Sequence, residues 1–397
     1  MMKVDEIQRA LREAGVDGWL FYDHHHRDPI AGRVLGLDAG ALVTRRWYYF
    51  VPSEGEPRKL VHRIESGRLN AVPGRAAVYS SWQELEGGLR AMLAPFQRIA
   101  MQYSPRNAIM YVSMVDAGTI ELLREWGKTI VSSADLVSRF EAVLNEEQIA
   151  SHYRAQRAID EILAEGFKEI GRRVRPASPA AKGASSFTEY DMVAWFLEAM
   201  GRAGLVWEHP TNVSVGKNSS DSHYEPVEGR SQPIRDGDFF LIDIWGREDR
   251  AGSCFYDITW TGVIGREPTE REREVFGVVT AARDAAIALV EDAFASRRPI
   301  AGWEADDAAR KVIAGAGLRE YFTHRTGHNI AAELHGNGAH LDNLETHDER
   351  LLLPFTCFSV EPGVYLPEFG IRSEVNMITS ADRAVVTGKV QPELVRV

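Results

Sequence analysis

The amino-acid sequence predicts an α+β protein of two domains, a smaller N-terminal α/β domain over residues 1–142 and a larger domain over residues 143–397. Three observations lead to this prediction. The 397 residues exceed the roughly 100–200 that one domain usually contains. Helical and strand-like segments alternate in the first part of the chain, whereas the second part runs from helices into strand-rich stretches. An apolar content of 44% and a charged content of 26% are ordinary for a folded protein.

The elements of the N-terminal domain follow from apolar periodicity and from turn residues. Helices are predicted over 3–14, Ser81–Leu93 and Val115–Trp126. Strands are predicted over Gly18–Tyr22, Trp47–Val51, Lys59–His62 and Arg98–Gln102. Three consecutive histidines, His24–His26, are interpreted as a solvated loop rather than a metal site. Neighbouring residues of a strand point to opposite faces, so three in a row could not chelate from one face.

The larger domain is predicted to begin with a long helix. Asn145 is a good N-cap, and apolar residues recur at helical spacing to about Ile170. The small residues of Pro176–Ser186 predict a surface loop, after which Thr188 caps a helix that runs to about Met200. Strand-like runs extend from there to Ile264. Two helices, over about 270–295 and 303–315, and further strands from Tyr321 complete the predicted order.

The composition excludes several functional classes. The chain carries 57 Asp and Glu against 46 Lys and Arg, a net charge of −11, and no dense basic block, so a nucleic-acid partner is not expected. No apolar run reaches the 18 or so residues of a membrane span, and the charged, amphipathic N-terminus does not resemble a signal peptide. The two cysteines, Cys254 and Cys357, form no disulfide framework. We therefore expect a cytoplasmic protein with no membrane partner.

The first chemical signal is a pair of aspartates inside apolar strands. Asp243 and Asp257 are 14 residues apart, on either side of a turn-rich connection, which is a hairpin pattern. Because the separation is even, a regular hairpin places the two side chains opposite or near each other. Buried like charges repel and are stable only with a positive partner. In an alternative interpretation, one aspartate caps a turn and the other pairs with an arginine.

The second signal is a group of three histidines within 12 residues, His324, His328 and His335, which indicates a metal or substrate site. A zinc protease helix would need the spacing HExxH. Here Arg325 follows the first histidine and Gly327 disfavours a helix interior, so a single zinc ion held on one helix face is not expected.

The third signal is a second hairpin that carries a carboxylate in each arm, Glu361 and Glu374. With the aspartate hairpin, it offers four carboxylates, and a histidine-bearing strand lies between the two hairpins in the sequence. Such an oxygen-rich set suits Mn²⁺, Co²⁺, Zn²⁺ or Fe²⁺ better than a thiolate zinc site would. Four negative ligands match two divalent ions, which can activate a bridging water for hydrolysis.

The order of the candidate ligands along the chain resembles that of the dinuclear site of the pita-bread metallopeptidases, such as methionine aminopeptidase, aminopeptidase P and prolidase. These ligands are Asp243, Asp257, His328, Glu361 and Glu374. The blocks that carry the resemblance are Ser222–Tyr224, Asp257–Thr259, Gly327–His328, Val360–Tyr365 and Gly370–Glu374. It covers about 145–397, and the N-terminal part resembles the creatinase-type domain of aminopeptidase P and prolidase. The resemblance implies a pita-bread catalytic domain, two divalent metal ions (manganese, with zinc or cobalt as alternatives), and a homodimer.

The resemblance also implies roles for individual residues. A hydroxide bridging the two metal ions would be the nucleophile, and Glu361 would be both a ligand and the proton shuttle. His223 and His335 would orient the substrate carbonyl and stabilise the oxyanion. Arg372 and Thr259 could each hydrogen-bond the ligand Asp257, since both lie two residues from a ligand on the same strand face.

A dipeptidase must also bind the free carboxylate of its substrate, normally through an arginine. Arg350, Arg325 and Arg372 are the candidates, and the sequence does not choose among them. His324 could face the substrate or belong to the core. The loop His24–His26 could reach the pocket of a neighbouring subunit.

The expected activity is hydrolysis of Xaa-Pro dipeptides, as in prolidase. Two alternatives stay open: an aminopeptidase P that acts on longer Xaa-Pro peptides, and a metal-free, creatinase-like C–N hydrolase. Four positions depart from the family pattern. In the segment that matches the family motif Gly-His-Gly-Ile-Gly, Asn329 and Ala331 replace the second and third glycines. Gly336 replaces the glutamate that usually follows the second histidine, and Arg325 replaces a small residue. These positions are expected in the pocket wall, where they affect specificity.

Overall fold

The computed structural model describes residues 4–175 and 187–397. The chain forms two compact units, Met1–Glu141 and Ala142–Val397. The predicted loop Pro176–Ser186 lies outside the described residues. Within the part of the chain that is described, no helix has the length and apolar character needed to cross a membrane.

The N-terminal unit is built on one mixed sheet. Its strands are β1 (Gly18–Asp23), β2 (Trp47–Pro52), β3 (Arg58–His62), β4 (Arg75–Tyr79), β5 (Arg98–Met101) and β6 (Thr129–Ser132). Its helices are α1 (Val4–Glu13), α2 (Pro29–Leu35), α3 (Trp82–Leu93), α4 (Ala117–Glu125) and α5 (Ala134–Val137). The strand order is β4-β3-β2-β1-β5-β6, with antiparallel pairs β1–β2 and β2–β3 and parallel pairs elsewhere.

Both faces of this sheet are buried, which explains why its central strands read as continuous apolar runs. Along β1, Trp19 and Phe21 enter one hydrophobic cluster together with Ile7 of α1. Leu20, between them, points to the other face and packs in a second cluster with Leu89 of α3. The sheet therefore separates two hydrophobic layers, each covered by helices.

Four elements of this unit were not predicted from the sequence: β4, β6, α2 and α5. The first four residues of β4 are exposed, so the strand has no apolar pattern to detect. Helix α2 carries the expected signals, with the Asp28 side chain as N-cap, Pro29 at the first turn and Gly36 in the left-handed conformation at its end. The histidines His24–His26 precede it in a turn beyond the end of β1 rather than in a strand.

The second unit contains four helices and three sheets among the described residues. The helices are α6 (Glu146–Val174), α7 (Glu189–Arg202), α8 (Glu270–Ala295) and α9 (Gly302–Gly315). The strands are β7 (Leu205–Val206), β8 (Asn212–Val215), β9 (Phe239–Glu248), β10 (Tyr256–Val263), β11 (Asn329–Ile330), β12 (Cys357–Val360), β13 (Gly363–Tyr365), β14 (Gly370–Arg372), β15 (Val375–Thr379), β16 (Ala384–Thr387) and β17 (Val395–Arg396).

The three sheets follow the predicted hairpins. In the first, β17, β10, β9 and β7 are adjacent in that order, and β8 also pairs with β9. The second has the order β11-β12-β15-β16, and the third is the pair β13–β14. Helices α6 and α7 share a hydrophobic cluster with β9 and β10, whereas α8 and α9 share one with β12 and β15. The strands that carry the candidate site are thus backed by helices.

The predicted helix starts at Asn145 and Thr188 are confirmed by reciprocal capping. The Asn145 side chain accepts a hydrogen bond from the backbone of Gln148, whose own side chain returns to the backbone of Asn145. Thr188 makes the same exchange with Asp191. These caps satisfy N–H groups that the first helical turn would otherwise leave without partners.

Candidate metal centre

The hairpin of β9 and β10 brings the two aspartates to one face of the sheet. Asp243 lies opposite Thr259, and Asp257 lies opposite Trp245. The aspartates are therefore diagonal neighbours, offset by two residues from direct register, at a spacing of about 7–8 Å. The expectation that they lie near each other is confirmed, but they are not directly opposite.

Strand β15 anchors Asp257 from the neighbouring sheet. The Asn376 side chain accepts a hydrogen bond from the backbone N–H of Asp257 at 2.9 Å and donates one to its carbonyl oxygen at 2.8 Å. Two residues earlier, Glu374 accepts a hydrogen bond from the Thr259 hydroxyl at 2.7 Å. The two carboxylates thereby meet where β10 and β15 approach each other. The sequence analysis missed Asn376, and expected Thr259 to bond Asp257 rather than Glu374.

His328 and Glu361 enter the same cluster from the second sheet. His328 Nε2 lies 3.3 Å from Glu361 Oε1 and 3.6 Å from Asp257 Oδ2. The Ser359 hydroxyl connects them, since it accepts a hydrogen bond from the backbone N–H of His328 at 2.9 Å and donates one to Glu361 Oε1 at 3.0 Å. Ser359, in β12, was not predicted from the sequence as part of the site, and Glu361 lies just beyond the end of that strand, so the structure corrects the prediction that Glu361 lies inside a hairpin arm.

The arrangement fits divalent cations. One ligand atom each of Asp257, His328 and Glu374 lies within 4.8 Å of the other two, and all three residues are buried. Among the described residues, Asp243 Oδ1, Asp257 Oδ1 and Glu374 Oε1 are buried without a hydrogen-bond partner. Buried carboxylate oxygens in this state are costly, and metal ions would satisfy them. The structure thus brings together all five predicted ligands.

Burial and mutual repulsion dominate the electrostatics of the cluster. Burial, followed by the charges of Asp243 and Glu361, raises the pKa of Asp257 well above its ordinary value. Burial and the three neighbouring carboxylates do the same to the pKa of Glu374. Burial raises the pKa of Glu361 to about 7 against the opposing charge of Arg372. In contrast, burial lowers the pKa of His328, which keeps its ring neutral and able to bind a metal.

These shifts predict a pH dependence of the metal-free protein. A carboxyl group with a raised pKa stays protonated in the folded protein at pH values where the same group in the unfolded chain has already lost its proton. The folded state therefore loses stability relative to the unfolded chain as the pH rises, until the pH exceeds the folded pKa. Above the unfolded histidine pKa of about 6.5, we expect the melting temperature in a chelator to fall as the pH rises through the pKa of Glu361, about 7, and through the raised pKa values of Asp257 and Glu374. The affinity for Mn²⁺ should rise over the same interval, because fewer protons compete with the metal.

Calorimetry at several pH values, with and without Mn²⁺, tests this expectation. The lowered pKa of His328 gives the opposite slope only below its unfolded value of about 6.5, outside the interval. The variant Asp257→Asn is the control and should show a flatter profile, since it removes one titrating group and its repulsion. A metal-free melting temperature that rises as the pH increases above about 6.5 would contradict the assigned electrostatics.

Arg372 is the buried cation of the site. Its guanidinium forms an ion pair with Asp243 and donates a hydrogen bond to the Thr259 hydroxyl at 3.0 Å. The expected bond from Arg372 to Asp257 is not found. The register explains the difference, because Thr259, opposite Asp243, is the residue of β10 that Arg372 reaches. The alternative in which one aspartate caps a turn and the other pairs with an arginine is therefore correct only in part. Asp243 pairs with Arg372, but both aspartates lie within strands and neither lies at a turn.

Removal of this cation should destabilise the protein. We expect Arg372→Met to lower the free energy of unfolding of the metal-free protein by about 3–5 kcal/mol, because it leaves Asp243 buried without its partner. Urea unfolding measures the effect. Arg396→Met is the matched control: Arg396 also forms an ion pair, with Glu267, but is half exposed, so its removal should leave stability unchanged. Equal effects of the two substitutions would contradict the prediction.

His324 belongs to a hydrogen-bonded network behind the cluster. Its Nε2 lies 2.7 Å from the Tyr365 hydroxyl, which in turn lies 3.4 Å from Arg372 Nη1. Its Nδ1 lies 2.7 Å from the carbonyl oxygen of Arg325. Burial, followed by the charge of Arg372, lowers the pKa of His324 to about 3. Both nitrogens have protein partners, so this geometry favours the core role over the substrate-facing one.

His223 and His335 lie at the solvent-accessible side of the cluster. Both residues are exposed, and the ring of His335 is centred 4.3 Å from that of His328. Although His335 has an exposed edge, enclosure by the protein and then the charge of Arg325 lower its pKa to about 4, with smaller contributions from His223 and His209. Arg325, His223 and His209 therefore lie near His335, beside the cluster. The sequence analysis left His209 without a role.

Arg350 is engaged elsewhere. Its guanidinium pairs with both oxygens of the Asp348 carboxylate, at 2.9 and 2.7 Å, and donates to the carbonyl oxygen of Asn337 at 2.8 Å. The Arg350 side chain is only 3% exposed. This bidentate pair gives no support to the predicted contact between Arg350 and the substrate, and indicates that the residue stabilises the loop that carries it.

Two of the departures from the family pattern are structurally coupled. Asn329 donates a hydrogen bond to the carbonyl oxygen of Cys357 at 2.9 Å and accepts one from the backbone of Gly338 at 2.9 Å. A Cβ atom at Gly336 would lie 2.3 Å from Asn329 Oδ1. The asparagine side chain therefore occupies the space that a larger residue at Gly336 would need, so each departure accommodates the other.

Comparison with known proteins places this geometry in a family. The pattern of metallopeptidase family M24 matches residues 154–381. The probable dipeptidase PepE of Mycobacterium tuberculosis is 30% identical over 386 residues, which are 92% of each chain. The Xaa-Pro dipeptidase of Lactobacillus delbrueckii subsp. lactis is 34% identical over 165 residues, 41% of this chain and 40% of that one.

The fold is also similar to that of a solved structure. The crystal structure of dipeptidase PepE from Mycobacterium ulcerans matches with a TM-score of 0.70 and 21% sequence identity, and covers 99% of this chain and 96% of that one. With the family match, this likeness confirms the predicted fold class, a pita-bread domain preceded by a smaller α/β domain.

Proposed function

The chain belongs to metallopeptidase family M24, and from this premise we propose that it hydrolyses Xaa-Pro dipeptides with two divalent metal ions. The observation that carries the proposal is the buried cluster in which ligand atoms of Asp257, His328 and Glu374 lie within 4.8 Å of one another. Family membership supports the hydrolysis of peptides. The preference for proline and the dinuclear site are our proposals, supported by the Xaa-Pro dipeptidase among the relatives.

The proposed ligands are Asp243, Asp257, His328, Glu361 and Glu374. The ions, when bound, would polarise the substrate carbonyl and lower the pKa of a water that bridges them. Oxygen-rich ligands and one imidazole suit manganese, zinc or cobalt. The buried, partnerless oxygens of three of these carboxylates support this assignment.

The protein groups around the cluster would handle the proton and the oxyanion. Glu361 would accept a proton at its carboxylate from the attacking water and return it to the leaving nitrogen. His335 is neutral at physiological pH because its pKa is about 4, so it can donate an N–H to the oxyanion, with His223 beside it. Arg325 is our candidate for the substrate carboxylate, since its charge acts on His335 and Glu361.

Aminopeptidase P activity on longer peptides is the second candidate, because it would use the same residues. A metal-free, creatinase-like hydrolase is less well supported, since it would leave the carboxylate cluster without a counter-charge beyond Arg372. The two peptidase proposals differ in whether the carboxylate of the substrate follows directly after proline.

A panel of small peptides tests the proposal. After reconstitution with Mn²⁺, we expect kcat/KM for Xaa-Pro dipeptides to exceed that for the matching Xaa-Ala dipeptides by at least about tenfold. We also expect Xaa-Pro to be a better substrate than Xaa-Pro-Xaa, because a free carboxylate pairs with an arginine. A preference for the tripeptide would establish aminopeptidase P instead. Rates in a chelator that equal those with Mn²⁺ would contradict both metallopeptidase proposals.

Three further properties remain proposals: manganese as the physiological metal, a homodimer and a cytoplasmic location. Metal analysis of protein purified without added metal tests the first. Sedimentation analysis of the full chain tests the second, and cell fractionation the third. The paucity of cysteines supports the location, since no disulfide is needed for the fold.

A further inference from the structure

A cationic cavity lies in the N-terminal unit, at the ends of β1, β3 and β4. Its volume is about 610 Å³. Its walls include His24, Arg27, Arg45, Arg46, His62 and Trp82. All of its lining residues belong to the N-terminal unit, and none of them is a proposed metal ligand.

The charges in this cavity are unbalanced. Three guanidinium groups line it against one carboxylate, that of Asp116. Asp116 is already engaged, since it accepts hydrogen bonds at 2.9 Å from both the backbone N–H and the hydroxyl of Thr119. Among the described residues, Arg27 and Arg46 form no ion pair and no side-chain hydrogen bond. Cations gathered in this way repel one another, and an anionic ligand would relieve the repulsion.

The backbone beside the cavity is strained. His25 and His26 have φ angles of 60° and 55°, in the left-handed region that residues other than glycine rarely adopt. They join the end of β1 to the N-cap of α2, and they hold Arg27 next to His24. Strain of this kind persists where surrounding structure maintains it, and it is concentrated at binding sites.

Two further side chains provide recognition. The Nδ1 atom of His62 accepts a hydrogen bond from the backbone of Ile64 at 3.1 Å, which leaves Nε2 as the N–H donor of the neutral ring. Trp82 is 64% exposed and forms an apolar part of the wall. Its large ring can pack against the apolar part of a ligand, and its indole N–H can donate a hydrogen bond.

We propose that this cavity binds a small organic anion, with its carboxylate or phosphate group on Arg27 and Arg46 and its apolar part against Trp82. The planar guanidinium fork suits both of these groups. The anion could be a free oxyanion or the terminal carboxylate of a peptide, which share this chemistry.

Calorimetric titration of the full-length protein in a chelator tests the proposal, because no turnover occurs and the result does not depend on peptidase activity. The probes are inorganic phosphate, glycyl-proline and glycyl-proline amide. We expect saturable binding of at least one anionic probe, and a loss of at least tenfold in affinity in the variant Arg27→Gln/Arg46→Gln. Neither arginine has a partner, so this variant should melt no lower than the wild type.

Arg75→Gln is the matched control, since Arg75 is an exposed arginine at the far end of β4 from the cavity. Phosphate binding that the double variant loses would identify a free oxyanion as the ligand. If the double variant loses only the binding of glycyl-proline, and glycyl-proline amide binds neither protein, the ligand is identified as a peptide carboxylate. The absence of binding by either anion, or equal binding by the double variant and the Arg75→Gln control, would overturn the proposal.

Discussion

The variant Asp257→Ala is expected to lose Mn²⁺-dependent peptide hydrolysis by at least about 10³-fold and to remain folded. Asp257 offers a ligand atom within 4.8 Å of those of His328 and Glu374, so its loss removes one member of this group of three. Removal of a metal ligand eliminates the activation of water and the polarisation of the carbonyl together. Steady-state kinetics after metal reconstitution, with metal content determined in parallel, measures the effect.

Stability provides an independent readout for this variant. Asp257 is buried beside Asp243, Glu361 and Glu374, and its Oδ1 has no hydrogen-bond partner among the described residues. Its removal relieves repulsion, so the metal-free variant should melt no lower than the wild type. Asp249→Ala, at the exposed tip of the same hairpin, is the control and should retain full activity. Full metal-dependent activity in Asp257→Ala would refute the dinuclear site, and loss of the native circular dichroism spectrum would show a structural role instead.

The variant Glu361→Gln is expected to lower kcat by about 10²–10⁴-fold with little change in KM. Glutamine keeps the shape of the side chain and can still accept the hydrogen bond from Ser359, but it cannot exchange a proton. The effect should therefore fall on the chemical step rather than on binding of the substrate. Kinetics with an Xaa-Pro dipeptide, over a range of pH, would show the loss.

Metal analysis separates the two proposed roles of Glu361. If proton transfer is the main role, the variant retains its metal while kcat falls. A loss of metal in proportion to the loss of activity would contradict the proton-transfer role and leave Glu361 a ligand only. Glu368→Gln is the control, since Glu368 is exposed in the turn between β13 and β14 and should be fully active.

The sequence by itself determined the candidate ligands and the family. Carboxylates inside apolar strands, such as Asp243 and Asp257, are costly to bury, so their positions signal function without any knowledge of the fold. The helix starts at Asn145 and Thr188 were also predictable, because a cap is a local interaction within a few residues. Strand β4 was not, since its exposed residues have no apolar alternation.

The tertiary structure alone decided how the ligands are held. Arg372 pairs with Asp243, and Asn376 clamps Asp257, because strand register and the approach of two sheets place them there. No sequence spacing specifies such contacts, since 119 residues separate Asn376 from Asp257. Arg350 is a similar case. As an arginine it was a candidate for binding the substrate carboxylate, whereas the fold pairs it with Asp348. Local chemistry can be read from the order of residues, but long-range partners depend on the packing of distant strands.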